Sequence, residues 1–220
     1  FCQPLRTDRP DSVKSFFLDQ LLPIASPACV ETVSGLLSRP ALTDLSSRVL
    51  VAVGNEQAAS ALRNALPAAT GFAQLALVQA VGELADADSV PELLRLAKVG
   101  NRDLRLAAGR ALAATGDPRA ATPLLEMTNA TSPYERSQAE GAYLLFLRRS
   151  ATAGRHAEAV AQAIAFAQAR PQDAHVQCGV IEVCAGTAET AAIDFVLAGL
   201  VADSRAAMNR SPGPTFSLAG

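Results

Sequence analysis

Residues 104–125 read LRLAAGRALAATGDPRAATPLL, and the turn inside this stretch occurs three times in the chain. Gly116-Asp117-Pro118 follows Ala85-Asp86-Ala87 and Gly54-Asn55-Glu56 at a constant offset of 31 residues. The same offset relates a leucine after each turn and an apolar residue before it: Leu62, Leu93, Leu124 and Leu50, Val81, Leu112. Self-similarity with a period of about 20–50 residues is typical of stacked repeats, in which each unit buries its apolar face only against its neighbours.

Composition favours the same architecture. Half of the 220 residues are hydrophobic, but only 5% are aromatic and Trp is absent, as in closely packed helices of Ala, Leu and Val. A stack grows in one direction, so a single array accommodates this length. We predict an all-α fold, an α-solenoid formed as a right-handed superhelix of about six antiparallel helix pairs. It spans residues 1–203, is irregular near 150–155, and is followed by a linker or disordered tail at 204–220.

Apolar spacing and helix breakers give the helix boundaries. The predicted helices are residues 12–22, 29–37, 42–53, 57–66, 72–84, 89–98, 102–115, 119–127, 134–148, 155–169, 174–184 and 189–201. Phe16, Phe17 and Leu21 are predicted on one buried face of the first helix. Gly82 and Gly109 fall inside helices, which indicates close helix packing at these two positions.

Charge and hydropathy exclude two classes of partner from the prediction. The net charge of −2 gives no global field for nucleic acid, and no stretch approaches the roughly 20 apolar residues of a membrane span. The chain begins with Phe1 rather than Met, and its first residues do not resemble a signal peptide. We therefore expect further sequence upstream.

The central repeat resembles a HEAT repeat. Residues 104–125 carry most of the apolar and small positions of that pattern, its Arg at Arg105, and its Gly-Asp-Pro turn. The closest type is the short repeat of phycobilin-lyase-like proteins, and the first 50 residues are similar to HEAT arrays of large bacterial multidomain proteins. The resemblance covers residues 12–200, and it implies an α-solenoid that binds other proteins.

One predicted partner-binding face follows from the repeat. Arg48, Gln79 and Arg110 share a column on the second helix of successive repeats, and the resemblance implies that this helix lines the concave side. The alternative is an ordinary solvated helix face. Four further residues complete the predicted face: Gln74, Arg105, Arg136 and Glu140.

Two features bear on this face. For Arg105 and Arg136 the resemblance also implies a role in holding repeats together, near Asp103 and Asp117. Leu75, Val78 and Leu106 are predicted near the outward side of the same helices, which suggests a partly apolar surface.

Catalytic and metal chemistry finds little support in the sequence. A helical-repeat di-iron hydroxylase needs repeated His-Glu pairs, whereas this chain has two histidines, His156 and His175, and neither precedes Glu. His175, Cys178 and Glu182 share one helix at spacings that suit a metal, but a partly buried Cys and a surface His explain them more simply. We predict no catalytic residue, cofactor or metal.

The cysteines allow one disulfide. Cys178 and Cys184 lie in the same predicted helix, about 9 Å apart at their Cα atoms, and so cannot bond; both are predicted to be core thiols. Cys2 and Cys29 pair if the protein is exported and otherwise remain thiols.

The predicted function is a non-enzymatic scaffold that binds a protein or peptide along its concave face. Two alternatives stay open. One is an accessory domain of a larger redox or lyase-type enzyme, in which the partner is an adjacent domain of the same parent chain. The other is a bilin-lyase-like cofactor chaperone, which depends on the resemblance alone.

Overall fold

Helices are the regular structure of this chain. The computed structural model describes residues 2–187 and 189–198, and this part of the chain contains no strand. The α-helices are α1 (Gln3–Arg6), α2 (Asp11–Leu21), α3 (Val30–Ser34), α4 (Thr43–Val53), α5 (Glu56–Ala65), α6 (Gly71–Glu83), α7 (Val90–Val99), α8 (Arg102–Thr115), α9 (Ala121–Met127), α10 (Pro133–Thr152), α11 (His156–Gln168) and α12 (Ala174–Ala185). Residues 190–198 are also helical.

The chain divides into two compact units, one ending at Arg149 and the other beginning at Ser150. In the first unit, the two helices of a pair pack on each other, and the second helices of successive pairs pack side by side. Thus α5 packs on α6 and α7 on α8, while α4, α6 and α8 lie side by side. This arrangement is the stack of helix pairs that the 31-residue offset predicts. The second unit contains the pair formed by α11 and α12.

The repeated apolar columns form the core of the first unit. Leu50, Val81 and Leu112 on the second helices are fully buried, at 0% exposure. The leucines of the first helices, Leu62, Leu93 and Leu124, are equally buried. Because each repeat contributes the same two positions, the core continues from one repeat to the next.

The turns between repeats have a shared backbone conformation. Gly54 and Gly116 end α4 and α8 in the left-handed region, with φ of 65° and 61°. In the next column, Asn55 accepts a hydrogen bond from the backbone N–H of Ala58 at 2.8 Å and caps α5. Asp117 accepts from the N–H of Arg119 at 2.9 Å in the equivalent turn.

Close helix packing at the two helical glycines is confirmed. A Cβ added to Gly82 of α6 would lie 2.8 Å from Cβ of Ala111 in α8. One added to Gly109 would lie 2.8 Å from Cε of Met127. Gly82 therefore allows α6 and α8 to approach each other more closely than a larger residue would permit, and Gly109 leaves room for the side chain of Met127.

Three sequence predictions about elements were wrong. The helix predicted to end at residue 148 continues to Thr152, so Ser150, in the segment predicted to be irregular, is helical. Phe16 is 61% exposed, and the buried face of α2 consists of Lys14, Leu18 and Leu21. The second predicted helix, residues 29–37, is broken up, because 3₁₀ geometry at Pro27–Cys29 precedes α3 and turns follow Ser34. The predicted tail at 204–220 lies outside the described residues.

Candidate partner-binding surface

The second helices of the first unit expose one repeated column of side chains. Arg48 on α4, Gln79 on α6 and Arg110 on α8 are all exposed. The next position at the same offset is Gly141 on α10, and a Cβ added there would meet no atom within 4 Å. The column therefore lies on the open side of four successive second helices.

Two adjoining grooves follow this column. The first lies between α4 and α6 and has a volume of about 300 Å³. The second crosses α6, α8 and α10 and has a volume of about 540 Å³. Gln79 and Glu83 line both grooves, which makes them one continuous surface. We call this surface the second-helix face and define it by Asp44, Arg48, Gln79, Glu83, Arg110 and Arg149.

Small residues form the floor of the larger groove, and charged residues stand along it. Gly82, Ala107, Ala111 and Ala114 line this groove and supply little side-chain bulk. Arg110 and Arg149 provide guanidinium donors, and Glu83 provides carboxylate acceptors. Hydrogen-bond donors and acceptors of both charges are therefore available along this groove.

The second predicted column points elsewhere. Gln74, Arg105 and Arg136 precede the positions of Gln79, Arg110 and Gly141 by five residues, which rotates them by about 140° around each helix. Arg105 donates to the carbonyl oxygen of Gly100 at 3.3 Å and to the carboxylate of Glu135 on α10 at 3.4 Å. Arg105 thus connects neighbouring repeats, but its partner is Glu135 and not Asp103 or Asp117 as predicted.

Individual residues of this column differ in exposure. Arg136 is exposed and donates to the carbonyl oxygen of Thr131 at 3.5 Å, whereas Gln74 is half-buried.

Two other predictions about the face do not agree with the observed burial. Glu140 is only 4% exposed and Val78 is fully buried, so neither side chain contributes to an open surface. Leu75 and Leu106 are half-buried.

Sequence reasoning missed three residues that line the grooves. Asp44 and Glu83 lie four residues from Arg48 and Gln79, one on each side, and so share their helix faces. That spacing was available in the sequence. Arg149 belongs to the groove because α10 continues beyond the helix end that we predicted, so no signal in the local pattern pointed to it.

Other kinds of site find no support among the residues that the structure describes. Within 2–187 and 189–198, no three His, Cys, Asp or Glu side chains are grouped to hold a metal ion. His175 and Cys178 are exposed on α12. The prediction that Cys178 is a core thiol was wrong, while Cys184 is buried. Over the same ranges, no helix combines the length and apolar character needed to cross a bilayer.

Stacked antiparallel helix pairs with a surface on their second helices define the class of protein: this is an all-α solenoid. More particularly, residues 73–143 match the family model for HEAT repeats, so this segment is similar to HEAT repeats. The match runs from α6 into α10, which contains the central repeat identified from its turn. A comparison of the chain with curated proteins gave no match.

Proposed function

We propose that this chain is a non-catalytic scaffold that binds a protein or peptide segment along the second-helix face. HEAT repeats commonly act as protein-interaction scaffolds, which supports the class of function. The observation that carries the assignment to this face is the continuity of the two grooves, which share Gln79 and Glu83. A partner lying across them would contact four helices of successive repeats.

The composition of the face supports a polypeptide partner. Arg48, Arg110 and Arg149 line the grooves together with Asp44 and Glu83, so both signs of charge are available. Complementary charges on a partner would fix its register and speed its association more than they would raise affinity. The partner is either a separate protein or an adjacent domain of a longer parent chain.

Charge reversal on the face tests the proposal. In the triple variant Arg48→Glu, Gln79→Glu and Arg110→Glu, all three substitutions fall on exposed positions of the column. We expect it to lose proteins that the unaltered chain captures from a native lysate, because like charges across an interface are unfavourable. Circular dichroism during thermal unfolding should show an intact fold.

A matched control separates the face from net charge. Arg9→Glu, Gln57→Glu and Lys98→Glu make an equal change in charge at exposed positions that line neither groove. This control should keep the captured proteins. If both triple variants lose the same proteins equally, net charge rather than the second-helix face governs binding and the proposal fails.

Photo-crosslinking locates the bound segment directly. A benzoylphenylalanine residue replaces Gln79 on α6 in one variant and Gln57 on α5 in the other; both glutamines are exposed. Irradiation with captured proteins should give crosslinks from position 79 and few from position 57. Crosslinks of equal yield from both positions would place the partner elsewhere.

A further inference from the structure

Two cysteines that are distant in sequence meet at the start of the first unit. The thiol of Cys2, just before α1, donates to Sγ of Cys29, just before α3, at 2.9 Å, and the two residues are 27 positions apart. Oγ of Ser26 lies 3.8 Å from the same Sγ. Both cysteines are free thiols in this structure.

The short helix α1 is held against α3 next to these two cysteines. Leu5 of α1 is buried at 2% exposure. Arg6 donates from Nε to Oγ1 of Thr32 at 3.0 Å and lies 3.7 Å from the carboxylate of Glu31. These contacts keep the chain around Cys2 close to the chain around Cys29.

The two thiols differ in acidity. Burial and the hydrogen bond to Cys29 raise the pKa of Cys2 to about 11. Burial also acts on Cys29, but hydrogen bonds from Cys2 and Ser26 outweigh it and lower the pKa of Cys29. The thiolate therefore forms first on Cys29, and thiol–disulfide exchange begins with a thiolate.

We propose that Cys2 and Cys29 form a reversible disulfide that fastens α1 to α3 when the protein meets a disulfide oxidant such as oxidised glutathione. One protein thiolate attacks a sulfur of the oxidant, which forms a mixed disulfide and releases one glutathione. The second protein thiolate then displaces the other glutathione. The protein loses two protons and two electrons, and the oxidant is reduced to two thiols.

The crosslink has a calculable consequence for stability. Closing a loop between residues separated by 27 positions reduces the entropy of the unfolded chain. By the chain-entropy relation, closing this loop lowers the equilibrium constant of unfolding roughly 400-fold at room temperature. Of the other two cysteines, Cys178 is exposed and is the one expected to interfere through intermolecular bonds.

The test uses the full chain with Cys178→Ser, which removes that exposed thiol. The protein is incubated with oxidised or reduced glutathione, digested without reduction and analysed by mass spectrometry. We expect a crosslinked peptide that joins Cys2 and Cys29 only after oxidation, and an unfolding midpoint in urea that is higher for the oxidised form. Reduction with dithiothreitol should reverse both changes.

The double variant Cys2→Ser, Cys178→Ser is the matched control, because Cys2 is only partly buried and its loss leaves Cys29 in place. It should show neither the crosslink nor the shift in urea midpoint. Absence of the crosslink in the Cys178→Ser protein, or a crosslink to Cys184 instead, would overturn the pairing. A Cys2–Cys29 crosslink without any shift in midpoint would overturn the fastening of α1.

Discussion

Gly54, Ala85 and Gly116 hold the same place in three successive turns, and all three have a positive φ: 65°, 52° and 61°. Glycine adopts this left-handed conformation without steric cost, whereas an alanine is disfavoured by about 1–2 kcal/mol. The fold of the turn is therefore set by its position in the repeat, and Ala85 follows it against its own preference.

Substitutions at these three positions should change the free energy of unfolding in opposite directions. Ala85→Gly is expected to raise the free energy of unfolding by about 0.5–1 kcal/mol, after the greater freedom of glycine in the unfolded chain is subtracted. Gly54→Ala should lower it by about 1 kcal/mol. Gly116→Ala should lower it further, because the new Cβ would lie 3.0 Å from Cβ of Arg149. Urea unfolding measures all three, and a less stable Ala85→Gly protein would contradict the argument.

Two glycines inside helices should respond to substitution by alanine with opposite changes in stability. Gly141→Ala should stabilise the protein by about 1 kcal/mol, since the position is inside α10 and the added Cβ meets no neighbour. Gly82→Ala should instead destabilise it by about 1–2 kcal/mol, because its Cβ would lie 2.9 Å from the backbone Cα of Ala111. Thermal unfolding of the two variants provides the check; equal stabilisation by both would show that α6 and α8 separate easily.

Single positions show what the sequence could predict. The buried columns followed from the offset alone, because a repeat places equivalent residues in equivalent surroundings. Glu140 was predicted to lie on the open face, but its position on α10 is buried, at 4% exposure. Arg105 and Arg110 were predicted to lie on the same face, although a separation of five residues places them about 140° apart around the helix.

Among the elements, α5 is connected to the turn after α6 by an ion-pair cluster. Arg63 of α5 lies 2.8 Å from the carboxylate of Asp86 and 2.8 Å from that of Asp88. Asp86 is only 8% exposed and also accepts a hydrogen bond from the hydroxyl of Ser89. Burial lowers the pKa of Arg63, but its hydrogen bond to Glu56 and its carboxylate neighbours outweigh this and raise the pKa.

A double-mutant cycle on Arg63→Ala and Asp86→Ala should reveal this coupling. We expect each single variant to lose about 1–3 kcal/mol of stability, and the coupling energy to exceed about 1 kcal/mol, because removing Arg63 leaves the carboxylate of Asp86 buried without its cation. Glu92 and Arg95 within α7, a pair more exposed than Arg63 and Asp86, are the control, with an expected coupling below about 0.5 kcal/mol. Equal coupling in the two pairs would show that the burial of Asp86 is unimportant.

Element boundaries were predictable where breakers flank the helix. Residues 102–115 were predicted as a helix with both ends correct, because Asn101 caps its start and Gly116 ends it. The end of α10 was not predictable in the same way. Ser150 and Thr152 are weak helix formers, yet the helix includes them, and Ser150 is buried at 4% exposure. Packing therefore outweighs intrinsic propensity there.

Across the whole molecule, stability should depend on contacts between neighbouring repeats. Leu112→Ala in the central repeat removes a fully buried side chain and is expected to cost about 2–5 kcal/mol. In a linear stack, this loss should reduce hydrogen-exchange protection of α6 and α8 more than that of α2. Leu125→Ala, at a position that is 39% exposed, is the matched control and should change protection little. A uniform loss of hydrogen-exchange protection over the first unit would instead indicate that the unit unfolds in one cooperative step.

The side-by-side placement of the second helices also sets a spacing for anything that crosses them. Packed helix axes are about 8–10 Å apart, and an extended polypeptide advances about 3.3 Å per residue. A strand-like ligand running over α4, α6, α8 and α10 therefore reaches a new helix at about every third amino acid. Binding sequences should accordingly show a triplet recurrence, and lengthening such a ligand by three residues would engage one more repeat.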